Sequence, residues 1–185
     1  MKCLVCGEVT KRGLCRNCRL GVPFERAFVV GERRGALKRL VGDFKYNSER
    51  GNALVIARLL DAVLPVLPTG IVIVPIPTIA PHIRRRGFGH TELVAHHLAK
   101  SRHIPCDNRL LLRADNSVQH GLKARERQRQ ARTTFRLNPR RAVPPEILLL
   151  DDIYTTGATM IAAAKLLKKH GAKTINVAIV ARQVK

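Results

Sequence analysis

At 185 residues and 45% hydrophobic content, the chain can build one domain of ordinary size plus a small appendage, and 4% aromatic content without Trp makes its core aliphatic. Thirty-four Lys+Arg against 13 Asp+Glu give a formal net charge of +21, which excludes a neutral surface and attracts polyanions. Nucleic acid is the first candidate, phosphorylated small molecules or an anionic membrane face are weaker ones, and a merely basic surface is the plain alternative.

The amino terminus reads Cys3-x-x-Cys6, eight residues, then Cys15-x-x-Cys18. Thiolates three apart bite one ion from a tight knuckle, and Gly7 and Gly13 permit the turns. Four thiolates fit a closed, tetrahedral structural Zn²⁺ site, with a redox dithiol or two disulfides as alternatives. Residues 1–24 are too few for a core of their own, so metal is expected to supply their folding energy. Lys2, Lys11, Arg12, Arg16 and Arg19 outnumber Glu8 there, so the knuckle could touch nucleic acid, a partner or its own domain. Cys106 has no partner at metal spacing and reads as a small buried or half-buried residue. Met1-Lys2-Cys3-Leu4 does not resemble a signal peptide.

Residues 25–50 read as a transition of mixed charge. Within it, Phe44-Lys45-Tyr46 either stacks on a base and meets a phosphate or is a helix end whose rings pack inward. Residues 52–64 read as a helix ending at Pro65. Ile71–Val74 is an aliphatic strand buried on both faces, broken by Pro75-Ile76-Pro77. The charge-free run 62–81 contains Pro65, Pro68, Pro75, Pro77 and Pro81, so no membrane span is expected and the cytoplasm is the expected compartment. A loop follows with Arg84, Arg85 and Arg86, which either clamp a pyrophosphate or are a solvated charge run. Residues 91–100 read as a helix, and His90, His96 and His97 read as surface or packing residues. Residues 100–141 carry twelve Lys/Arg against three acids. They read either as a basic lid over an anionic ligand or as a solvated helix or linker.

The most informative stretch is Ile147-Leu148-Leu149-Leu150-Asp151-Asp152-Ile153-Tyr154-Thr155-Thr156-Gly157-Ala158-Thr159. An apolar strand ends in two carboxylates that can accept hydrogen bonds from neighbouring ribose hydroxyls. The loop Thr155, Thr156, Gly157, Ala158 and Thr159 can wrap a 5′-phosphate with N–H groups, hydroxyls and a helix N-terminus. A helix over 159–170, a stop at Gly171 and a strand over 175–180 complete a parallel α/β unit, which binds ligands at the carboxyl ends of its strands.

The 147–159 stretch resembles the phosphoribosyl-pyrophosphate (PRPP) motif of type I phosphoribosyltransferases. With the four-cysteine module, Phe44-Lys45-Tyr46, Val74–Pro77, Arg86-Gly87-Phe88 and Arg113, Gln119, Leu122, Arg125, Glu126, Arg127 and Phe135, nearly the whole chain is similar to the ComF family and its GntX-type relatives. Gly89-His90 and Gln130 depart from that family's usual Asn-Gln and Asn. The resemblance implies a zinc module over 1–24 and a type I phosphoribosyltransferase-like domain over 25–185. It implies Mg²⁺–PRPP held at Asp151, Asp152 and 155–159 with Arg84, Arg85 or Arg86 on the pyrophosphate. It also implies a role in natural competence, with single-stranded DNA as the partner suggested by charge. Active transfer of ribose 5-phosphate to a nitrogenous base is the alternative. Nothing after Thr159 offers an evident base pocket.

Overall fold

A computed structural model describes residues 2–11, 13–46, 50–113 and 135–183. Its centre is a four-stranded, all-parallel sheet in the order β1-β6-β5-β2, made of β1 (Arg26–Glu32), β2 (Val72–Pro75), β5 (Glu146–Tyr154) and β6 (Thr174–Arg182). A two-stranded antiparallel ribbon, β3 (Leu111–Arg113) and β4 (Phe135–Leu137), stands apart from it. Helices α1 (Arg16–Leu20), α2 (Gly35–Tyr46), α3 (Asn52–Val63), α4 (Ala80–Arg86), α5 (His90–Arg102) and α6 (Ala158–Lys169) supply the outer layers.

The central strands are aliphatic through their middles (residues 72–74, 147–150 and 177–181) because both faces are covered there. Ile147 and Leu149 join one core with Val177, Ile179 and the α6 residues Met160, Ala163, Ala164 and Leu167. Leu148 and Leu150 join the opposite core with Ala178, Val180 and the α3 residues Ala53, Ile56, Ala57 and Leu60. Both helices bury positions i, i+3, i+4 and i+7, one stripe of a 3.6-residue period. At the end of α5, Arg102 binds Asp61 and the carbonyls of Asp61, Leu64 and Pro65, closing the C-terminus of α3.

Three expectations are corrected. Residues 25–50 are not a transition: they contain strand β1 and helix α2. Glu25, Arg26, Arg34, Lys38 and Arg39 sit at exposed positions in or beside elements whose inward residues (Ala27, Phe28, Val41 and Phe44) are buried. Arg84, Arg85 and Arg86 lie in the last turn of α4 rather than in a loop, which begins at Gly87 in the left-handed region (φ 77°). The strand carrying the acids does not stop at Leu150; it runs on to Tyr154, paired with β6 through Asp151↔Ile179 and Tyr154↔Arg182.

The four-cysteine segment is not a free appendage. Cys3, Leu4 and Leu14 are buried in the same core as Phe24, Ala27 and Tyr154. Gly13 sits so close to β1 that a Cβ there would lie 1.7 Å from the Ala27 carbonyl oxygen. The Arg182 guanidinium donates from Nε to the Leu4 carbonyl at 2.9 Å and packs under Gly7. No helix among the described residues is long and apolar enough to cross a membrane.

Candidate functional site

A cavity of about 400 Å³ opens at the carboxyl ends of the parallel strands, within the size range of small-ligand pockets. Asp151 and Asp152 come to it from β5, Thr155 and Thr159 from the following loop, and Thr78 from the loop after β2. Among the described residues, its cations are Arg33 beyond β1, Lys45 on α2 and Arg113 on β3, with His82 and His90 beside them. Three permanent cations against two carboxylates suit an anionic ligand.

Successive residues on a strand point to opposite faces, and the two acids diverge accordingly. Asp152, 8% exposed, turns toward the α2/α5 side. Its Oδ2 meets Lys45 Nζ at 2.6 Å and His90 Nε2 at 2.5 Å. Burial pushes its carboxyl up, but the His90 hydrogen bond and the Lys45 charge outweigh that and hold it well below the usual carboxylate range. Asp151 is half-buried and accepts the Asp152 backbone N–H at 2.9 Å. Burial and then the neighbouring Asp152 charge push its carboxyl up, against Lys45 and Arg113. Two neighbouring carboxylates with opposed environments are a common mark of a functional site. Arg113 donates from Nε to the Pro77 carbonyl at 3.0 Å and stacks over Phe135, which fixes its guanidinium at the cavity wall.

The loop after β5 makes the turn the sequence reading expects. Gly157 has φ +80° and is the N-cap of α6, so the helix N-terminus faces the same strand ends as the acids. A Cβ on Gly157 would lie 2.2 Å from Tyr154 Oη. Gly157→Ala therefore meets both left-handed strain and a buried ring. We expect a loss of about 1–3 kcal/mol, read as a fall of about 3–9 °C in thermal midpoint. An unchanged midpoint would show that the loop relaxes freely.

Of the expected site residues, Asp151, Asp152, Thr155 and Thr159 meet at the cavity, with Thr156, Gly157 and Ala158 on the same turn. Arg84 is exposed on α4 and does not line it; the side chains of Arg85 and Arg86 lie outside the described residues, as do Gln119, Leu122 and the basic 125–129 segment. Phe44 packs inward against Phe88 (5.8 Å) and His90 (6.2 Å) rather than presenting a stacking face. Of the two readings of His90, surface or packing, the structure takes the second: it is buried inside the site, edge-on to Phe44. Arg33, Thr78 and Glu92 are not singled out for the site by the sequence, whereas His90 is marked there by the departure from the resembled family's Asn-Gln. One usable signal was topological, since residues just beyond parallel strands gather at one end, but β1 had to be recognised first.

The second site is the cysteine cluster. The four sulfurs of Cys3, Cys6, Cys15 and Cys18 lie within 4.8 Å of one another. Cys6 and Cys15 Sγ are 3.7 Å apart, far beyond a disulfide bond but matching the edge of about 3.8 Å that a tetrahedron of 2.3 Å metal–sulfur bonds requires. Backbone N–H groups of Cys15 and Cys18 point at Cys3 and Cys15 sulfur, as in a metal knuckle. Burial, then the neighbouring thiols, push Cys18 up to about 12, while at Cys3 burial raises the thiol but backbone N–H groups outweigh it and bring it down to about 6. The cluster fits a structural metal. Cys106 stands apart, half-buried, its thiol pushed up to about 11 chiefly by burial.

With this geometry in hand, the comparisons are consistent. A family model described as phosphoribosyl transferase domain matches residues 145–185, the segment that holds both acids, the loop and the last strand. Competence protein F of Haemophilus influenzae is 29% identical over 177 residues, covering 88% of this chain and 76% of that protein. Competence protein ComFC of Bacillus subtilis is 29% identical over 184 residues, covering 91% and 72%. The chain is a homologue of the ComF-type competence proteins. DNA utilization protein YhgH of Escherichia coli K12 is 28% identical, covering 95% of this chain and 87% of that one. Its fold is that of a phosphoribosyltransferase, a parallel sheet between helices. A hypoxanthine phosphoribosyl transferase of Trypanosoma cruzi superposes with a TM-score of 0.39 at 12% identity, covering 72% of this chain and 64% of that one. The chain thus spans a little under two thirds of that solved protein's length.

Proposed function

We propose that this ComF-type homologue binds Mg²⁺–PRPP, or another phosphorylated ribose, in the β5 cavity and acts on incoming DNA during natural transformation. The observation that carries the ligand is the convergence of Asp151, Asp152 and the 155–159 turn with Arg33, Lys45 and Arg113 in one cavity. The carboxylates take the ribose hydroxyls, the turn takes the 5′-phosphate, and the cations take the pyrophosphate, with Arg113 and Lys45 better placed than Arg84. Mg²⁺ arrives with the ligand, held mostly by ligand oxygens and water. Residues 1–24 hold Zn²⁺ as a brace for the domain over 25–185. The relatives' names as competence and DNA utilization proteins support the biological setting, and the cytoplasm is the proposed compartment. Isothermal calorimetry with Mg²⁺–PRPP tests the site; absence of binding by the wild type sinks it.

Single-stranded DNA is the proposed partner because of the +21 net charge. Neutralising only three phosphates makes affinity for a dT oligomer fall about twentyfold between 50 and 200 mM salt. Fluorescence anisotropy checks this, and an affinity indifferent to salt counts against it.

One feature favours a catalytic reading. Ile76, Pro77 and Ile79 form an apolar wall of the same cavity, and such a wall suits a flat nitrogenous base. PRPP-dependent pyrophosphate release across a panel of nucleobases separates the readings: turnover identifies a transferase, and binding without turnover identifies a ligand-sensing module.

A further inference from the structure

We propose that His90 is a doubly protonated imidazolium clamped between Thr78 and Asp152, a positioning residue that fixes Asp152 and adds a positive charge to the cavity. The proton count stands on one hydrogen bond and one ion-pair contact of the ring; its consequence for binding rests on the ribose-phosphate reading above.

The count runs outward from Glu92. An ionised carboxylate only accepts. Glu92 receives the Thr78 backbone N–H at Oε1 (2.9 Å) and the Thr78 hydroxyl at Oε2 (2.8 Å). Thr91 gives its own hydroxyl proton to the Ile76 carbonyl at 2.6 Å, a shorter contact than its 3.0 Å to Glu92. Thr78 has one hydroxyl proton, and Glu92 holds it, so Thr78 Oγ1 faces His90 Nδ1 (3.1 Å) as an acceptor. Nδ1 therefore carries a proton. On the other side, Nε2 lies 2.5 Å from Asp152 Oδ2, an oxygen in ion-pair contact with Lys45 Nζ at 2.6 Å. Two lone pairs do not approach this closely without a proton between them, and the Lys45 charge keeps the carboxylate ionised, so the proton is on Nε2. An imidazole protonated on both nitrogens is an imidazolium.

Gly89 makes this possible. A Cβ at position 89 would lie 2.2 Å from Glu92 Oε2, so only glycine leaves room for the Glu92 carboxylate to reach Thr78. The Gly89-His90 pair, where the resembled family has Asn-Gln, thus acts as one device. Gly89 admits the carboxylate that takes the Thr78 proton, and Thr78 then accepts from His90.

Among the described residues, the charged and titratable groups of the cavity around the ring are Asp151 and Asp152 on β5, Lys45 on α2, Arg33 beyond β1, Arg113 on β3, His82 on α4 and Glu92 on α5 itself. Losing one imidazolium charge weakens binding of an anion in such a cavity. Affinity should therefore fall as rising pH removes the proton. Asp151 ionising also opposes an anion, so the His90 share is read as the ratio of wild type to His90→Gln, which keeps an N–H donor for Asp152 but cannot titrate.

Nitrogen-15 NMR of labelled protein without ligand, the His90 signals identified by their loss in His90→Gln, should show both ring nitrogens protonated at pH 7. Thr78→Ala removes the Nδ1 acceptor and should let the ring lose its second proton at lower pH. In calorimetry with Mg²⁺–PRPP, wild type should bind about tenfold tighter than His90→Gln at pH 6, the ratio approaching one at pH 9. A neutral tautomer at pH 7 overturns the imidazolium. A ratio constant with pH overturns its role in binding. No PRPP binding by either protein, beside an intact imidazolium signature, overturns the ligand assignment while the proton count stands.

Discussion

Removing the metal from the cysteine cluster should cost at least about 4 kcal/mol, a fall of about 10 °C or more in thermal midpoint. The size of the effect follows from where the module sits. Cys3, Leu4 and Leu14 are buried with Phe24, Ala27 and Tyr154 in the main core, so losing the knuckle uncovers one face of the sheet. The damage should also reach the phosphate turn. Tyr154 packs in this core with its hydroxyl against Gly157, and its own titration is pushed up by burial and then by the Cys3 and Cys18 charges, which places it between the two sites. Chelation or Cys3→Ser should thus lower Mg²⁺–PRPP affinity as well as stability. Elemental analysis should find one metal per chain, and thermal scanning with and without chelator measures the loss. Cys106→Ser, remote from the cluster, is the control. A metal-free chain that melts at the wild-type temperature would overturn the bracing role.

The parts of this molecule that were legible in sequence are those where one physical rule acts alone. Ile147–Leu150 reads as a doubly buried strand because four aliphatics in a row have no other inexpensive place. The spacing of Cys3, Cys6, Cys15 and Cys18 reads as a metal knuckle because thiolate geometry is local. Gly157 reads as a left-handed turn for the same reason, and has φ +80°. What stayed hidden depends on partners far apart in the chain. β1 carries Arg26 and Glu32 at its ends and a Gly31 inside, a pattern too mixed to announce a strand until β6 pairs with it. His90 stands out in the sequence only as a departure from the resembled family; the fold alone brings Asp152, some sixty residues on, to its ring. Lys45 stands out in the sequence for its aromatic neighbours, but Phe44 turns inward while the lysine reaches the site. Arg84–Arg86 drew attention as a run of charge, whereas the cations that line the cavity are single residues from three separate elements.

Asp151→Asn and Asp152→Asn should both weaken Mg²⁺–PRPP binding by about a hundredfold, the scale of one or two lost hydrogen bonds to a charged acceptor, yet change stability in opposite directions. Burial, then the Asp152 charge, raise the Asp151 carboxyl to about 8 from an ordinary 3.8. Between those values the folded chain holds a proton that the unfolded chain has released, so stability falls as pH rises through that window. Asparagine keeps an oxygen for the Asp152 N–H without carrying that charge. Asp151→Asn should melt about 3–6 °C above wild type at pH 8, a gap that closes toward pH 4. Asp152 is the reverse case. Burial raises its carboxyl, but His90 and Lys45 outweigh it and bring it to about 2, so its stabilisation is present in full above the ordinary 3.8 and is lost as pH falls toward 2. Asp152→Asn leaves Lys45 and His90 facing a neutral amide and should cost about 3 kcal/mol at pH 7, the scale of a broken buried pair. Paired melts at pH 4 and pH 8 with calorimetry on both variants decide the matter. A destabilised Asp151→Asn at pH 8 contradicts the strain assigned to Asp151, and undiminished PRPP binding by both variants would move the ligand out of this cavity. The expected pattern is that of a site kept for its ligand: one carboxylate the fold would be better off without stands beside one it needs.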